Sequence, residues 1–339
     1  MTRYLDILAS LRADTLGGVH HQRLPPEVDL ARHYGVSRMT LRRAISALID
    51  EGILESRQGS GTYVRDEAQQ ARIVDVVIAD SLSEHPEGPF QQQLMLYLIN
   101  TASQRGWTLR LNPHLADLQA RLSAGRSSPY SACIAVAFAS HHREALSALP
   151  VAVVSVDGEP TDRGPTILPD NHRGIGVAVS RLHQLGHRRI AHLAGPQSQS
   201  AGRERLAGFC AAMTTLGLEI GADTVCPGGF NVKDGHRAMD TWWRQPVHPT
   251  AVVCANDMMA IVAAHWLAER GMSAGREVSL IGFDGLPLTT VCWPPLATLA
   301  LDFTVHVQAV MEAVQHPEQA TIRRTPVTLV ERASLGPCR

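Results

Sequence analysis

From residue 73 onward, short apolar runs alternate with segments of helical periodicity, and this alternation constrains the possible folds most strongly. The first series of runs is RIVDVVIA, TLRLN, ACIAVAF and VAVVSV, and the second is RRIAHLAG, DTVCPG, TAVVCA and VSLIGF. Continuous Val, Ile and Ala runs are typical of strands that are buried on both faces. Strands separated by helices indicate parallel sheets covered by helices. We therefore predict an α/β fold with two similar lobes, each built on a doubly wound parallel sheet.

Polar and aromatic side chains follow several of these strands. Ligands of such sheets bind at the carboxyl ends of the strands, so these side chains are candidates for a shared site. They are Asp80, Ser81, Asp157, Arg203, Arg205, Phe230, Asn256, Asp257 and Asp284. Carboxylate, amide and guanidinium groups beside one aromatic ring suit a polyhydroxylated small molecule. The sequence therefore predicts a sugar-like ligand between the lobes.

Each of these residues also has a structural interpretation. Asp257 is placed to be the N-cap of the next helix, as Asp170 is for the helix predicted at 172–185. Phe230 alone would more often be a core residue. Arg203 and Arg205 have the alternative of being ion-pair partners within the fold.

The N-terminal stretch VSRMTLRRAI combines an apolar face with three arginines. Ser37 suits a helix N-cap. The apolar face is formed by Leu41, Ala44, Ile45 and Leu48, at the i, i+3, i+4 and i+7 spacing of a helix. Arg38, Arg42 and Arg43 lie away from it. Such a pattern in isolation is most often a solvated charged face.

The neighbouring segments favour a DNA-binding unit. A short helix from Glu27 to His33 precedes the turn Tyr34–Val36, which predicts a helix-turn-helix. Downstream, ILESRQGSGTYV reads as two strands with a glycine-rich tip, which predicts a wing beside the second helix.

Residues 24–64 resemble the winged helix-turn-helix of the GntR family of bacterial regulators. The matching residues include Leu24-Pro25, Glu27, Leu30-Ala31, Gly35 to Arg38, Thr40 to Arg42, Leu48, Glu51-Gly52, Leu54, and Gln58 to Thr62. The resemblance implies that Arg38, Thr40 and Arg42 meet the duplex and that Gly59 approaches the minor groove. The predicted DNA-contacting set is Ser37, Arg38, Thr40, Arg42, Arg43, Arg57, Gln58 and Gly59. Val28 stands where the family usually has an arginine.

Residues 72–335 resemble the sugar-sensing domain of the LacI family, which has a type I periplasmic-binding-protein-like fold. The matching stretches include DN at 170, LGHRRI at 185, AGP at 194, RLAGF at 205, AND at 255, and VS to GFD at 278–284. The resemblance implies effector contacts from Arg205, Asn256 and Asp284 and stacking by Phe230. It implies further contributions from Asp80, Ser81 and Asp157.

Together these patterns predict a head at 1–66, a linker at 67–72 and an effector domain at 73–339. The expected lobes are about 73–168 plus 299–322, and 169–298 plus 323–335. This arrangement resembles arabinose-responsive regulators, and it lacks the hinge helix that precedes the sensor in LacI relatives. The expected function is that of a sugar-responsive repressor that binds operator DNA as a homodimer. The alternatives are a carbohydrate-binding protein without regulation, or an enzyme.

Composition and residue spacing argue against several other classes of protein. The net charge is −1, so binding to DNA requires a local basic patch. The six cysteines are scattered, and His183, His187 and His192 straddle a helix end and a strand, so no disulfide framework or metal is predicted. With Lys233 as its one lysine and no pyridoxal-phosphate motif around it, the chain is expected to need no cofactor. No signal peptide or membrane span is apparent, which predicts a cytoplasmic protein.

Overall fold

The N-terminal head is a helix-turn-helix followed by a two-stranded wing. The computed structural model describes residues 7–8, 10–12, 14–15, 23–50, 53–57, 60–64, 73–79, 88–123 and 132–338. The elements of the head are α1 (Glu27–His33), α2 (Arg38–Asp50), β1 (Leu54–Arg57) and β2 (Gly61–Val64). The two strands are antiparallel, with Leu54 opposite Val64 and Arg57 opposite Gly61. The predicted winged helix-turn-helix is confirmed.

One apolar face holds the head together. The buried residues of α2 are Leu41, Ala44, Ile45 and Leu48, as the helical spacing predicts. They share a core with Leu30 of α1 and Leu54 of β1. Between the helices, Gly35 has a φ of +62°, a left-handed conformation that glycine adopts without steric cost.

Three groups of elements follow in the two-lobed domain. The first is β3 (Ile73–Ile78), α3 (Pro89–Gln104), β4 (Thr108–Asn112), α4 (Leu115–Ser123), β5 (Ala132–Val136), α5 (Arg143–Ser147), β6 (Ala152–Val156) and β7 (Thr166–Pro169). The second is α6 (Asn171–Gln184), β8 (Ile190–Leu193), α7 (Ser200–Thr215), β9 (Val225–Cys226), α8 (Val232–Trp243), β10 (Ala251–Cys254), α9 (Asp257–Ala268), β11 (Ser279–Asp284), α10 (Leu288–Val291) and β12 (Ala297–Leu301). The third is α11 (Phe303–Gln315), β13 (Ile322–Thr325) and β14 (Val327–Val330).

Each lobe contains one six-stranded sheet. The first sheet has the order β13-β7-β6-β5-β3-β4 and is parallel throughout. The second has the order β14-β12-β11-β10-β8-β9, in which β14 runs antiparallel to β12 and the other neighbours are parallel. The predicted two-lobed α/β architecture is confirmed, with β14 as an antiparallel addition.

The chain crosses between the lobes three times, and two crossings lie later than the expected boundaries at 299 and 323. The whole of β12, up to Leu301, pairs with β11 in the second sheet. The whole of β13, up to Thr325, pairs with β7 in the first sheet. Both expected boundaries therefore need correction, to about residues 302 and 326. The reason for the second error is that β13 is an edge strand with largely exposed side chains, so it carries no apolar signal.

Candidate functional site

The second helix of the head presents an exposed polar surface. The Ser37 hydroxyl accepts a hydrogen bond from the Thr40 amide at 3.1 Å, so Ser37 is the N-cap of α2. Arg38 and Arg43 are exposed, and Arg38 has no hydrogen bond or ion pair with the described part of the chain. Arg42 is exposed as well, but its guanidinium pairs with Glu27 of α1, with 2.8 Å between Nη2 and Oε2. Arg42 therefore ties the two helices together.

The wing holds its own arginine in place. Arg57 Nε donates to Glu55 Oε1 at 2.6 Å, and its guanidinium carbon lies 4.4 Å from the centre of the Tyr63 ring. The hydroxyls of Tyr63 and Ser60 are 2.6 Å apart. Gln58 and Gly59, the remaining predicted DNA contacts, lie outside the described residues.

Arg205 is the centre of a buried polar cluster where β10 and β11 of the second sheet end. It lies on α7, and its Nε donates to Asn171 Oδ1 at 2.8 Å while its Nη1 donates to the Ala255 carbonyl. Its guanidinium carbon is 3.6 Å from the centre of the Phe283 ring. These contacts orient the guanidinium, because a planar group held on two edges and one face has little rotational freedom.

Asp284 faces Arg205 from the last position of β11. Its Oδ1 lies 3.7 Å from Arg205 Nη1, and the residue is buried. Its φ of +123° is rare for a residue with a side chain, and strained backbone of this kind is concentrated at functional sites. Burial raises the pKa of Asp284 well above its ordinary value, and the charge of Arg205 opposes that rise.

Asp157 reaches the same cluster from the first lobe. It follows β6, is buried, and has a φ of +53°. Burial lowers the pKa of Arg205, and Asp157 is one of the neighbouring carboxylates whose charge opposes that shift. Neither carboxylate oxygen has a hydrogen-bond partner among the described residues, and His306 Nε2 on α11 is 3.5 Å from Oδ1. Sequence reasoning missed His306, because nothing local marks a histidine within an apolar helix as part of a site.

Asn256 and Phe230 complete the part of the predicted set that the structure describes. Asn256 Oδ1 accepts from the Met259 amide at 2.9 Å, and its Nδ2 donates to the Phe230 carbonyl at 3.2 Å. Phe230 has a φ of +62°, and its ring lies against Gly195, where a Cβ atom would be 2.4 Å from the ring. The cluster thus contains Asp157, Arg205, Phe230, Asn256 and Asp284. Asp80 and Ser81 lie outside the described residues.

Other strand-end residues turn out to have structural roles. Asp257 is buried and accepts from Thr298 Oγ1 at 2.5 Å and from the Leu286 amide at 2.7 Å. The N-cap of α9 is Asn256, so the interpretation of Asp257 as the cap was wrong. Asp170 caps α6 through the Arg173 amide, as predicted.

Polar contacts bridge the two lobes around the cluster. Arg203 Nη2 lies 2.5 Å from Glu159 Oε1, which confirms its interpretation as an ion-pair partner. Glu204 on α7 forms a bidentate pair with Arg324 on β13, at 2.7 and 2.8 Å. Asn171 Nδ2 also donates to Glu204, at 3.0 Å, so Arg205, Asn171, Glu204 and Arg324 form one continuous network.

The described residues contain no cluster of His, Cys, Asp and Glu that would hold a metal ion. Of the three histidines considered above, His187 bonds Thr250 and the Gly336 carbonyl, while His192 bonds the Val253 carbonyl. Within the same residues, no helix combines the length and apolar character needed to cross a bilayer.

Two family models match the chain. The model described as bacterial regulatory proteins of the gntR family matches residues 3–64, and the periplasmic binding protein-like domain matches residues 179–335. The chain joins a GntR-type head to a periplasmic binding protein-like domain. Most of the first lobe lies between the two matched ranges.

Known proteins of similar sequence are repressors. The transcriptional repressor CytR of Escherichia coli K12 is 34% identical over 152 residues, which cover 45% of this chain and 45% of CytR. The chain thus aligns with less than half the length of the curated relatives it matches first. The ribose operon repressor of the same strain is 27% identical over 343 residues, covering 90% of this chain and 98% of that protein.

Solved structures of LacI regulators share the fold. A LacI transcriptional regulator from Rhodococcus has 27% identity and a TM-score of 0.68, covering 79% of this chain and 99% of that one. The lac repressor dimer bound to operator has 23% identity and a TM-score of 0.67, and covers 80% of this chain. That second similarity shows the fold alone.

Proposed function

We propose that this chain is a transcription regulator, acting as a repressor, whose affinity for operator DNA is controlled by a sugar or sugar derivative. The observation that carries the proposal is the buried polar cluster around Arg205, which both lobes contribute to, in a chain with a GntR-type head. The names of the relatives support this class, since CytR and the ribose operon repressor are both repressors. The proposed site of action is the cytoplasm.

In the proposed complex, α2 enters the major groove of the operator. Arg38, the exposed arginine without an internal partner among the described residues, reads a base or binds phosphate, because a guanidinium pairs bidentately with either. Arg43 and Arg57 lie beside the phosphate backbone. A homodimer places its two heads on the two half-sites of the operator. The arginines of each head supply the positive charge that DNA binding requires.

The effector binds between the lobes, where it contacts Asp157, Arg205, Asn256 and Asp284 and lies against the Phe230 ring. Because these residues come from both lobes, a ligand that touches them all stabilises one arrangement of the lobes over others. The effect on DNA affinity is limited by the difference in ligand affinity between the two states, typically about 1–3 kcal/mol.

The test is a gel shift with the DNA upstream of the gene that encodes this chain. The shift is measured with and without the sugars that stabilise the protein in a thermal-shift screen. We expect a sugar that stabilises the protein to change its affinity for that DNA. Asp284→Ala should bind the DNA like wild type and no longer respond to the sugar. A sugar response retained by Asp284→Ala would place the effector elsewhere, and failure of every sugar to stabilise the wild type would contradict sugar sensing.

A further inference from the structure

A chain of buried polar groups leads from Thr325 in the first sheet through His306 to Asp157. Thr325 Oγ1 donates to the Leu168 carbonyl at 3.3 Å, and His306 Nδ1 lies 2.7 Å from the same hydroxyl oxygen. Since the hydroxyl has one proton and gives it to Leu168, it accepts from His306, and Nδ1 carries the proton. The other ring nitrogen of a neutral His306 is then a hydrogen-bond acceptor.

That acceptor faces a second acceptor. His306 Nε2 and Asp157 Oδ1 are 3.5 Å apart, and neither of them has a hydrogen-bond partner among the described residues. Asp157 Oδ2 is likewise without a partner there. Unpaired acceptors are costly in a protein interior, since each has lost its bonds to water. Protonation of Nε2 would supply one donor to Oδ1 and leave Oδ2 unpaired.

The charges around this pair exclude one class of ligand. Asp157 and Asp284 approach Arg205 from the two lobes, and the nearby carboxylate of Glu204 is paired with Arg324. Two donors of Arg205 are already engaged, with Asn171 and with Ala255. A phosphate or carboxylate placed beside Asp157 would bring further acceptors against two groups that already lack a donor among the described residues, the Asp157 carboxylate and His306 Nε2.

We infer that Asp157 and His306 form a paired acceptor site that selects an uncharged effector with two hydroxyl donors on adjacent carbons. One hydroxyl of the diol donates to His306 Nε2 and its neighbour donates to Asp157. This inference rests on the proposed function and goes further, because it names the side chains that distinguish a free sugar from its phosphate ester. His306 is a specificity-determining residue of the site.

The test measures binding by calorimetry on the full chain with matched sets of sugars. Each set holds a free sugar, its 2-deoxy form and its phosphate ester, for ribose (5-phosphate) and for glucose and galactose (6-phosphates). We expect the wild type to bind a free sugar at least about ten-fold more tightly than its phosphate ester. His306→Leu should weaken that sugar by about ten-fold, the effect of one lost hydrogen bond to a buried acceptor.

Two further variants separate binding from folding. His306→Gln restores an acceptor near the Nε2 position and should recover part of the affinity. His187→Leu is the matched control, since His187 is also buried and also bonds a threonine hydroxyl through Nδ1, but in the second lobe, where Thr250 precedes β10. It should lower the melting temperature and leave sugar affinity unchanged. If His306→Leu does not fold, the comparison is made between His306→Gln and wild type.

The outcomes distinguish the two proposals. Equal or tighter binding of a phosphate ester, or unchanged sugar affinity in the His306 variants, would overturn the role of His306 while sugar sensing stands. If no free sugar in the sets binds the wild type and no other sugar stabilises it, both proposals fail together.

Discussion

At the scale of single residues, burial gives two ionisable side chains opposite effects on stability. It raises the pKa of Asp257 to about 7 and lowers the pKa of His192 to about 4. Folded Asp257 retains its proton where the unfolded chain has lost it, so its contribution to stability falls as pH rises from about 4 to 7. Folded His192 stays neutral where the unfolded chain is protonated, so its contribution rises between about pH 4 and 6.5.

The pH dependence of the melting temperature separates these two contributions. As pH rises from about 4.5 to 7 in ~0.5-unit steps, we expect wild type to lose stability relative to Asp257→Asn. Relative to His192→Gln, wild type should gain stability from about pH 4.5 to about 6.5. The Asp257→Asn side chain keeps an acceptor for the Leu286 amide, so the variant is expected to fold. If the melting temperatures of both variants change with pH in the same way as that of wild type, neither group shifts its pKa on folding.

At the scale of elements, the arginines of α2 have two different roles. Arg42 pairs with Glu27 of α1, whereas Arg38 stands exposed beside Met39, which is 84% exposed. We expect Arg38→Ala to weaken operator binding by roughly 1–3 kcal/mol without lowering the melting temperature. Fluorescence anisotropy with the DNA upstream of the gene measures the affinity. Arg276→Ala, at an exposed arginine of the second lobe, is the control; similar affinities for both variants would contradict a DNA contact by Arg38.

At the scale of the whole molecule, ion pairs between residues of the two lobes stabilise their relative arrangement. Arg324 joins β13 of the first lobe to Glu204, which is linked through Asn171 to Arg205. We expect Arg324→Ala to weaken sugar binding about two- to five-fold, the modest effect of a partly exposed pair. Arg181→Ala removes a comparable bidentate pair, with Glu331, inside the second lobe and should not alter sugar affinity. If calorimetry gives the two variants the same sugar affinity, the result contradicts a bridging role for Arg324.

Local patterns in the sequence determined the elements and the general position of the site. Helical spacing predicted the buried face of α2, and the bounds of α1 were predicted correctly from Glu27 to His33. Apolar runs predicted the buried strands, because a strand covered on both faces needs apolar side chains throughout. Because parallel strands end at a common edge of their sheet, Arg205 and Asp284 were expected to lie close together, and Arg205 Nη1 is 3.7 Å from Asp284 Oδ1.

Only the tertiary structure decided which of these side chains remain available to a ligand. The partners that occupy Asp257, Arg203 and Arg42 come from other elements, and no periodicity along the chain encodes such pairings. His306 reaches Asp157 because α11 returns to the first lobe after β12, far along the chain from β6. Secondary structure follows from local spacing, whereas the donors and acceptors of a site are assigned by contacts between segments that the fold brings together.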